Sequence, residues 1–333
     1  MKAAIYSRYG TADVVQIEEV EKPVSRNHEV LIRVRAASVN PLDEGLIRGG
    51  SRLVTGLRRP KVTRLGIDVA GLVEAVGRDV TQFKPGDSVF GACIGDPDAS
   101  ALRVWIPQGA FAEYACAHQS ALVMKPENVS FEQAASAPVA ALTALQGLRD
   151  KGKIQAGQKV LINGASGGVG TFAVQIAKFF GAEVTGICST RNVDLVRSIG
   201  ANHVIDYTQE DFTRGGQRYN LILDCVGNHS LSASRRVLSP GGICVMVGDR
   251  NGRGMLSVMG RLIAAIVLSR FESRKMVTFL ARPINEDLTF ISELMVAGKV
   301  TPVIDRRYSL SEVVEAIRYL GKGHARGKVV ISL

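Results

Sequence analysis

The segment Asn163-Gly164-Ala165-Ser166-Gly167-Gly168-Val169-Gly170 decides the fold of this chain of 333 residues. It follows an apolar run at 159–162 and precedes a helical pattern at 171–180, so it joins a predicted strand to a predicted helix. A glycine-rich turn at such a junction, inside a strand–helix–strand unit, is typical of a dinucleotide-binding site. The alternative is a tight turn that binds no ligand.

The residues of this turn predict how a dinucleotide would be held. Gly167 and Gly168 would let the backbone approach a pyrophosphate, and Gly170 would let the helix pack closely on the sheet. The unpaired N–H groups and the positive dipole end of the helix would then face the phosphates. We therefore predict cofactor contacts at Ser166, Gly167, Gly168, Val169 and Gly170.

The strand predicted at 183–187 indicates which dinucleotide binds. An NAD-specific site usually carries an acidic residue at the end of this second strand, where it binds the ribose 2′-hydroxyl. Here the strand is followed by Ser189, Thr190 and Arg191, with no acidic residue at the tip. Two hydroxyl groups and the guanidinium group of Arg191 can hydrogen-bond to a 2′-phosphate, so we predict NADPH. The alternative is that Arg191 is only a solvent-facing helix residue.

The pattern of predicted secondary structure changes near residue 125. Before it, short β-like runs alternate with turn residues, at 3–6, 30–34, 69–73 and 88–91. After it, strands alternate with helices, with strands at 159–162, 183–187, 204–205, 221–224 and 243–247. The tail predicts helices at 286–297 and 312–320 and a last strand at 328–332. This pattern predicts an α/β protein with a mostly-β domain and a doubly wound parallel sheet.

Charge and hydropathy restrict the possible partners. The formal net charge is +10, and one basic stretch holds Arg48, Arg52, Arg58, Arg59, Lys61 and Arg64. This basic stretch is interpreted either as a solvated loop or as a surface that attracts an anionic cofactor or membrane. Because no nucleic-acid recognition motif accompanies the charge, we do not predict nucleic-acid binding. The apolar run at 255–268 is too short to span a bilayer, so we expect a buried or amphipathic helix, or weak contact of 255–275 with a membrane surface. We expect a cytoplasmic protein, because the first residues lack an apolar signal segment.

Six further runs carry a resemblance to a known family: SVNPLD at 38–43, GIDVAG at 66–71, FKPGD at 83–87, GAFAEY at 109–114, APVAALTA at 137–144 and GHARGK at 323–328. With the glycine turn, they resemble the zinc-free, zeta-crystallin-like quinone oxidoreductases of the medium-chain dehydrogenase/reductase superfamily. The resemblance is greatest to the branch of the chloroplast-envelope quinone oxidoreductase homologue and the mitochondrial reticulon-interacting homologue.

The resemblance implies a discontinuous architecture. It predicts a GroES-like, mostly-β catalytic domain formed by 1–124 and 284–333, and a Rossmann NADP-binding domain at 125–283. It also implies a homodimer, and a cleft between the domains where the nicotinamide meets a small-molecule substrate.

Further cofactor contacts are implied only by the resemblance. Tyr207 matches a residue near the adenosine phosphate, and two pairs follow later Rossmann strands where ribose and nicotinamide pass. Together the implied contacts are Thr143, Tyr207, Val226, Gly227, Val247, Gly248, Arg326 and Lys328.

The resemblance also assigns a metal-free active site. Asn40 matches the family's active-site asparagine. The positions that hold catalytic zinc in related alcohol dehydrogenases correspond here to Asn40, the pair Ile67–Asp68, and Val139. Ile and Val cannot bind zinc, so we predict no metal.

Without a strong Lewis acid, the expected acceptor is an activated one: a quinone or an α,β-unsaturated carbonyl compound (enone). The developing enolate oxygen needs a hydrogen-bond donor, for which Asn40 is the first candidate and Arg48 a weaker one. Asp43 would orient Asn40 or cap a helix. Two alternatives stay open: an NAD(P)-dependent alcohol dehydrogenase or carbonyl reductase, and a catalytically weak, cofactor-binding interaction protein.

Overall fold

A computed structural model describes residues 1–50, 52–95, 106–248 and 274–333, with Leu53 and Val54 as backbone only. Contacts group these residues into two compact units. The first unit contains Met1–Leu142, Arg282–Gly298 and Pro302–Leu333, and the second contains Thr143–Ala281 and Lys299–Thr301. The domain ranges expected from the resemblance, 1–124 with 284–333 and 125–283, stay a prediction.

The strands, in chain order, are β1 Lys2–Tyr6, β2 Val15–Glu19, β3 Glu29–Val39, β4 Asp68–Val76, β5 Ser88–Ala92, β6 Tyr114–His118, β7 Leu122–Met124, β8 Lys159–Asn163, β9 Glu183–Cys188, β10 His203–Asp206, β11 Tyr219–Asp224, β12 Leu238–Met246, β13 Lys275–Thr278, β14 Ile304–Ser309 and β15 Lys328–Ser332. The strand predicted at 328–332 is therefore confirmed residue for residue.

The α-helices are α1 Pro41–Ile47, α2 Arg52–Thr55, α3 Phe131–Ser136, α4 Pro138–Gln146, α5 Gly168–Phe179, α6 Val193–Ser198, α7 Leu231–Arg236, α8 Asn285–Val296 and α9 Val313–Gly321. Single turns of other helix types occur at Ala12–Val14, Gly147–Lys151, Gln119–Ala121, Thr190–Asn192 and Leu310–Glu312. The two helices predicted in the tail correspond to α8 and α9.

The first unit is mostly β. β1 and β2 form an antiparallel pair, and a larger sheet has the order β14-β15-β3-β4-β5-β7, with β6 also paired to β3. β3 is the long central strand, and five of its apolar side chains, among them Val30, Ile32 and Val34, are buried in one core. Because β3 pairs with β15 and β4 together, residues from both ends of the chain lie side by side.

The second unit is a parallel sheet in the order β10-β9-β8-β11-β12-β13. The strands pair in parallel throughout this path. β8 is central, and four of its five residues are buried, as expected for a strand covered on both faces. The strand order reverses between β8 and β11, and ligands of such sheets bind at the carboxyl ends of the strands at this point. The predicted α/β fold class, a GroES-like unit with a Rossmann-type sheet, is confirmed.

The apolar run at 255–268 and most of 255–275 lie outside the described residues. Within the described ranges, none of the helices has the length and apolar character that crossing a membrane requires.

Candidate functional site

The glycine turn after β8 packs closely against its neighbours. Gly164 has φ +82°, which favours glycine, and a Cβ atom there would lie 2.6 Å from Cγ2 of Val226. A Cβ atom at Gly170 would lie 2.1 Å from the carbonyl oxygen of Gly164. A side chain at either position would therefore displace the turn or the start of α5.

The N-terminus of α5 lies beside this turn without a side-chain cap. Gly167, with an extended backbone, occupies the N-cap position. Because glycine has no side chain, it does not cap the first N–H groups of the helix. Ser166 and Gly170 are buried, while Gly167, Gly168 and Val169 are half-buried. Open backbone N–H groups beside glycines, at the positive end of a helix of 12 residues, fit a diphosphate.

A buried carboxylate organises the neighbouring strand ends, and the sequence analysis did not single it out. Oδ1 of Asp224 accepts hydrogen bonds from the backbone N–H groups of Val226 at 3.1 Å and Gly227 at 2.9 Å. It also accepts one from the side-chain nitrogen of Asn163 at 2.8 Å. The backbone oxygen of Asp224 accepts from Val247 and Gly248, at 2.9 and 3.1 Å. Asp224 therefore brings the predicted contacts after β11 and β12 to the end of β8.

The residues after β9 divide into two kinds. Ser189 is half-buried, whereas Thr190, Arg191 and Tyr207 are exposed. The hydroxyl of Thr190 donates to Oδ2 of Asp206 at 2.6 Å, and this bond is the largest cause that lowers the pKa of that carboxyl. The structure thus uses the Thr190 hydrogen within the protein, although the sequence suggested it as a donor to phosphate.

A cluster of polar side chains is buried in the first unit. Asp68, Asn40, Ser38 and Lys328 are each no more than 3% exposed. Oδ2 of Asp68 accepts from the Ser38 hydroxyl at 2.6 Å, the Asn40 amide at 2.9 Å and the Lys328 ammonium at 3.1 Å. Lys328 also donates to Oδ1 of Asn40 at 2.7 Å. Lys328, implied as a cofactor contact by the resemblance, thus lies with the predicted catalytic residue Asn40.

The hydrogen atoms of this cluster are unequally used. The Asn40 amide has two hydrogens, which donate to Asp68 and, at 3.3 Å, to the carbonyl oxygen of Ser38. The Lys328 ammonium has three, and the described residues accept two of them. Within the described part of the chain, the cluster's unused donor is therefore on Lys328.

Asp43 lies one turn into α1 and is fully buried. Its carboxylate accepts from the backbone N–H groups of Asn40 at 2.8 Å and Gly66 at 3.1 Å, so it caps the start of α1. Burial raises its pKa from 3.8 to about 7, against the lowering effect of these two hydrogen bonds; nearby Asp68 adds to the rise.

The remaining predicted residues are half-buried or exposed. Arg48 is an exposed side chain that pairs with Glu44 at 2.7 Å on α1, and the structure does not bring it to Asn40. Thr143 is half-buried in α4, and Arg326 is exposed, with its backbone N–H donating to Asp305 at 2.8 Å.

The positions that correspond to zinc ligands do come together. The backbone N–H of Val139 donates to Oδ1 of Asp68 at 2.9 Å, and Asn40 binds the other oxygen of that carboxylate. Among the residues that the structure describes, there is no group of three or more His, Cys, Asp or Glu side chains arranged to hold a metal ion.

Two family models match the chain. The alcohol dehydrogenase GroES-like domain matches residues 26–127, and the zinc-binding dehydrogenase family matches residues 199–331. The second description names zinc for the family, and it does not by itself assign a metal to these residues.

Curated relatives and solved structures match almost the full length of this chain. A 2-methylene-furan-3-one reductase from Solanum lycopersicum is 34% identical over 99% of this chain and 79% of its own length. The chloroplast envelope quinone oxidoreductase homolog of Arabidopsis thaliana is 32% identical over 99% of this chain and 98% of its own. The structure of the quinone oxidoreductase from Coxiella burnetii has a TM-score of 0.86 at 32% identity, covering 100% of this chain and 99% of that one.

We expect Lys328→Met to lower the free energy of unfolding by about 3–5 kcal/mol, because it leaves the buried Asp68 carboxylate without its cation. The matched control is Lys22→Met, which removes an exposed pair with Glu74 at 2.7 Å and should cost less than about 1 kcal/mol. Urea unfolding of both variants measures the difference. Equal losses would contradict a buried, structurally required ion pair.

We expect Asp43 to make the protein less stable as the pH rises towards neutrality. Its pKa is about 7 when folded and near 3.8 when unfolded, so between these values only the folded state holds the proton. Raising the pH through this window removes stability by up to about 1.4 kcal/mol per pH unit. In urea unfolding, the stability of the native protein relative to Asp43→Asn should fall between pH 5 and pH 7; a flat or rising difference would refute the assignment.

Proposed function

Because the chain belongs to the quinone oxidoreductase branch of the medium-chain dehydrogenase/reductase superfamily, we propose that it reduces a quinone or an enone with NADPH, without zinc. The glycine turn after β8 carries the proposal, since Gly170 lets α5 start close against Gly164 and the uncapped N-terminus at Gly167 offers backbone N–H groups to a diphosphate. When bound, the coenzyme would supply a hydride from C4 of its nicotinamide ring.

NADPH is favoured over NADH by the residues after β9. Ser189 and Arg191 lie where an NAD-specific enzyme usually carries an acidic residue. A guanidinium group binds a phosphate with paired, charge-assisted hydrogen bonds. Tyr207, 54% exposed, follows the neighbouring strand β10 and is proposed to line the same phosphate site.

The zinc-independent assignment rests on residue types. Catalytic zinc needs about three protein ligands, and Ile67 and Val139 have no ligating side-chain atom. An acceptor that needs no metal activation fits these residues better than a simple ketone. The chain's own task is then to bind the acceptor and to stabilise the negative charge that develops on its oxygen.

We assign that task to the buried cluster of Ser38, Asn40, Asp68 and Lys328. Both amide hydrogens of Asn40 are engaged, so Asn40 orients the ammonium rather than donating to substrate. The third ammonium hydrogen of Lys328 is the proposed donor to the oxyanion, with Asp68 and Asn40 positioning the ammonium group. Solvent supplies the proton to the α-carbon of an enone. The homodimer and the cytoplasmic location stay predictions.

The purified protein should reduce activated acceptors in preference to simple ketones. With NADPH, we expect kcat/KM for benzoquinone or but-3-en-2-one to exceed that for cyclohexanone by at least about 100-fold, the scale of several kcal/mol of missing Lewis-acid stabilisation. Steady-state absorbance at the NADPH band measures this. Efficient turnover of cyclohexanone alone would favour a carbonyl reductase, and tight NADPH binding without turnover of any acceptor would favour an interaction protein.

Arg191→Gln should raise KM for NADPH by about 10- to 100-fold and leave KM for NADH within about threefold, since it removes a charge-assisted hydrogen bond to the 2′-phosphate. The control is Arg197→Gln, which changes another exposed arginine, on α6, whose contact is with Asp194 at 3.9 Å. Parallel initial rates with both coenzymes give the comparison. An equal effect on NADH would indicate that Arg191 does not read the phosphate.

A further inference from the structure

A buried amide connects the glycine turn to the tip of β9. Asn192 is 5% exposed and follows Arg191 in the turn Thr190–Asn192. Its side-chain nitrogen donates to Oγ of Ser166 at 3.0 Å and to Oγ of Ser189 at 3.3 Å. One side chain therefore holds the serine of the proposed diphosphate turn and the serine of the proposed 2′-phosphate site.

This arrangement determines the role of both hydroxyls. A serine hydroxyl has one hydrogen to donate and lone pairs that accept. Because Asn192 occupies a lone pair on each oxygen, the hydrogen of each serine must point elsewhere. Among the described residues, neither hydrogen finds an acceptor. Ser166 and Ser189 are thus left as two hydrogen-bond donors without a protein partner.

The opposite end of the same amide has no protein partner among the described residues. Oδ1 of Asn192 is buried and has no hydrogen-bond partner. A buried oxygen without a partner is unfavourable, so its presence calls for an explanation. If the amide were turned over, Oδ1 would accept both serine hydrogens and withdraw them from any ligand. The observed orientation keeps the two hydroxyl hydrogens available.

We propose that Asn192 is a positioning residue that presents the Ser166 and Ser189 hydroxyls as donors to phosphate oxygens of the coenzyme. Phosphate oxygens accept hydrogen bonds and donate none, so they match groups restricted to donation. Ser166 lies beside the open N-terminus of α5, where an anion is favoured. The inference rests on the proposed function and adds the residue that sets the polarity of its phosphate sites.

Thr190 provides the contrast within the same turn. Its hydroxyl donates to Asp206 at 2.6 Å, so its hydrogen is already used. Although Ser189 and Thr190 are adjacent hydroxyl residues, only Ser189 should contribute to binding of the 2′-phosphate.

The test is a double-mutant cycle on binding, with 2′,5′-ADP as the probe of the 2′-phosphate site. Asn192→Ala and Ser189→Ala should each raise Kd by about tenfold. The double variant should also raise Kd by only about tenfold relative to the native protein, because both substitutions remove the same oriented donor. Ser198→Ala on α6 is the control, since that exposed hydroxyl donates to the carbonyl oxygen of Leu195. A double variant weakened about 100-fold, or an unchanged Kd for Asn192→Ala, would overturn the proposal.

A second comparison does not depend on whether Asn192→Ala folds. Ser189→Ala should weaken 2′,5′-ADP binding by about tenfold, and Thr190→Ala by less than about threefold. The reverse order would overturn the inference. Calorimetry of the native protein with NADPH distinguishes the proposed function from the role of Asn192. No binding of NADPH would contradict the proposed function. Binding of NADPH together with additive effects of Asn192→Ala and Ser189→Ala would contradict only the role of Asn192.

Discussion

The first turn of α5 packs directly on the backbone of the turn before it, and the proposed dinucleotide site depends on that contact. A side chain at Gly170 would meet the carbonyl oxygen of Gly164 at 2.1 Å, so only glycine lets the helix start this close to the end of β8. The uncapped N–H groups of α5 are thereby placed at the carboxyl edge of the sheet. Asp224 holds the loops after β11 and β12 at the same edge through backbone N–H groups. The proposed phosphate site is therefore built mainly from backbone atoms whose positions follow from packing.

The other unit depends on buried charge instead of backbone donors. Asp68 and Lys328 are 260 residues apart in sequence, and their side chains are 0% and 3% exposed in the pair. Such a pair is stable only when the remaining hydrogen-bonding capacity is also met, and Ser38 and Asn40 meet it on the Asp68 carboxylate. The arrangement fixes which end of the Asn40 amide faces the ammonium. In our proposal the asparagine predicted as catalytic is therefore a supporting residue, and the ammonium group it contacts is the candidate donor.

Hydrogen-bond direction separates residues that look equivalent in sequence. Ser189 and Thr190 both carry a hydroxyl, yet Thr190 donates to Asp206 and Ser189 accepts from Asn192. Arg48 was the weaker candidate donor to the enolate oxygen, and its guanidinium group is engaged by Glu44 on the surface of α1. In each case the residue type permits the proposed role, and the neighbouring group decides whether the necessary hydrogen is available.

The sequence by itself determined the features that depend on neighbouring residues. The glycine turn, the start of α5, the parallel sheet and the absence of an acidic residue after β9 follow from patterns within about 30 residues, the length of one strand–helix–strand unit. Tertiary structure decided the pairing of Asn40 and Asp68 with Lys328, the role of Asp224, and the bridge from Asn192 to Ser166. The physical reason is that a hydrogen bond requires its donor and acceptor about 3 Å apart and aligned. When the two groups come from distant segments, only the folded chain fixes that distance and direction.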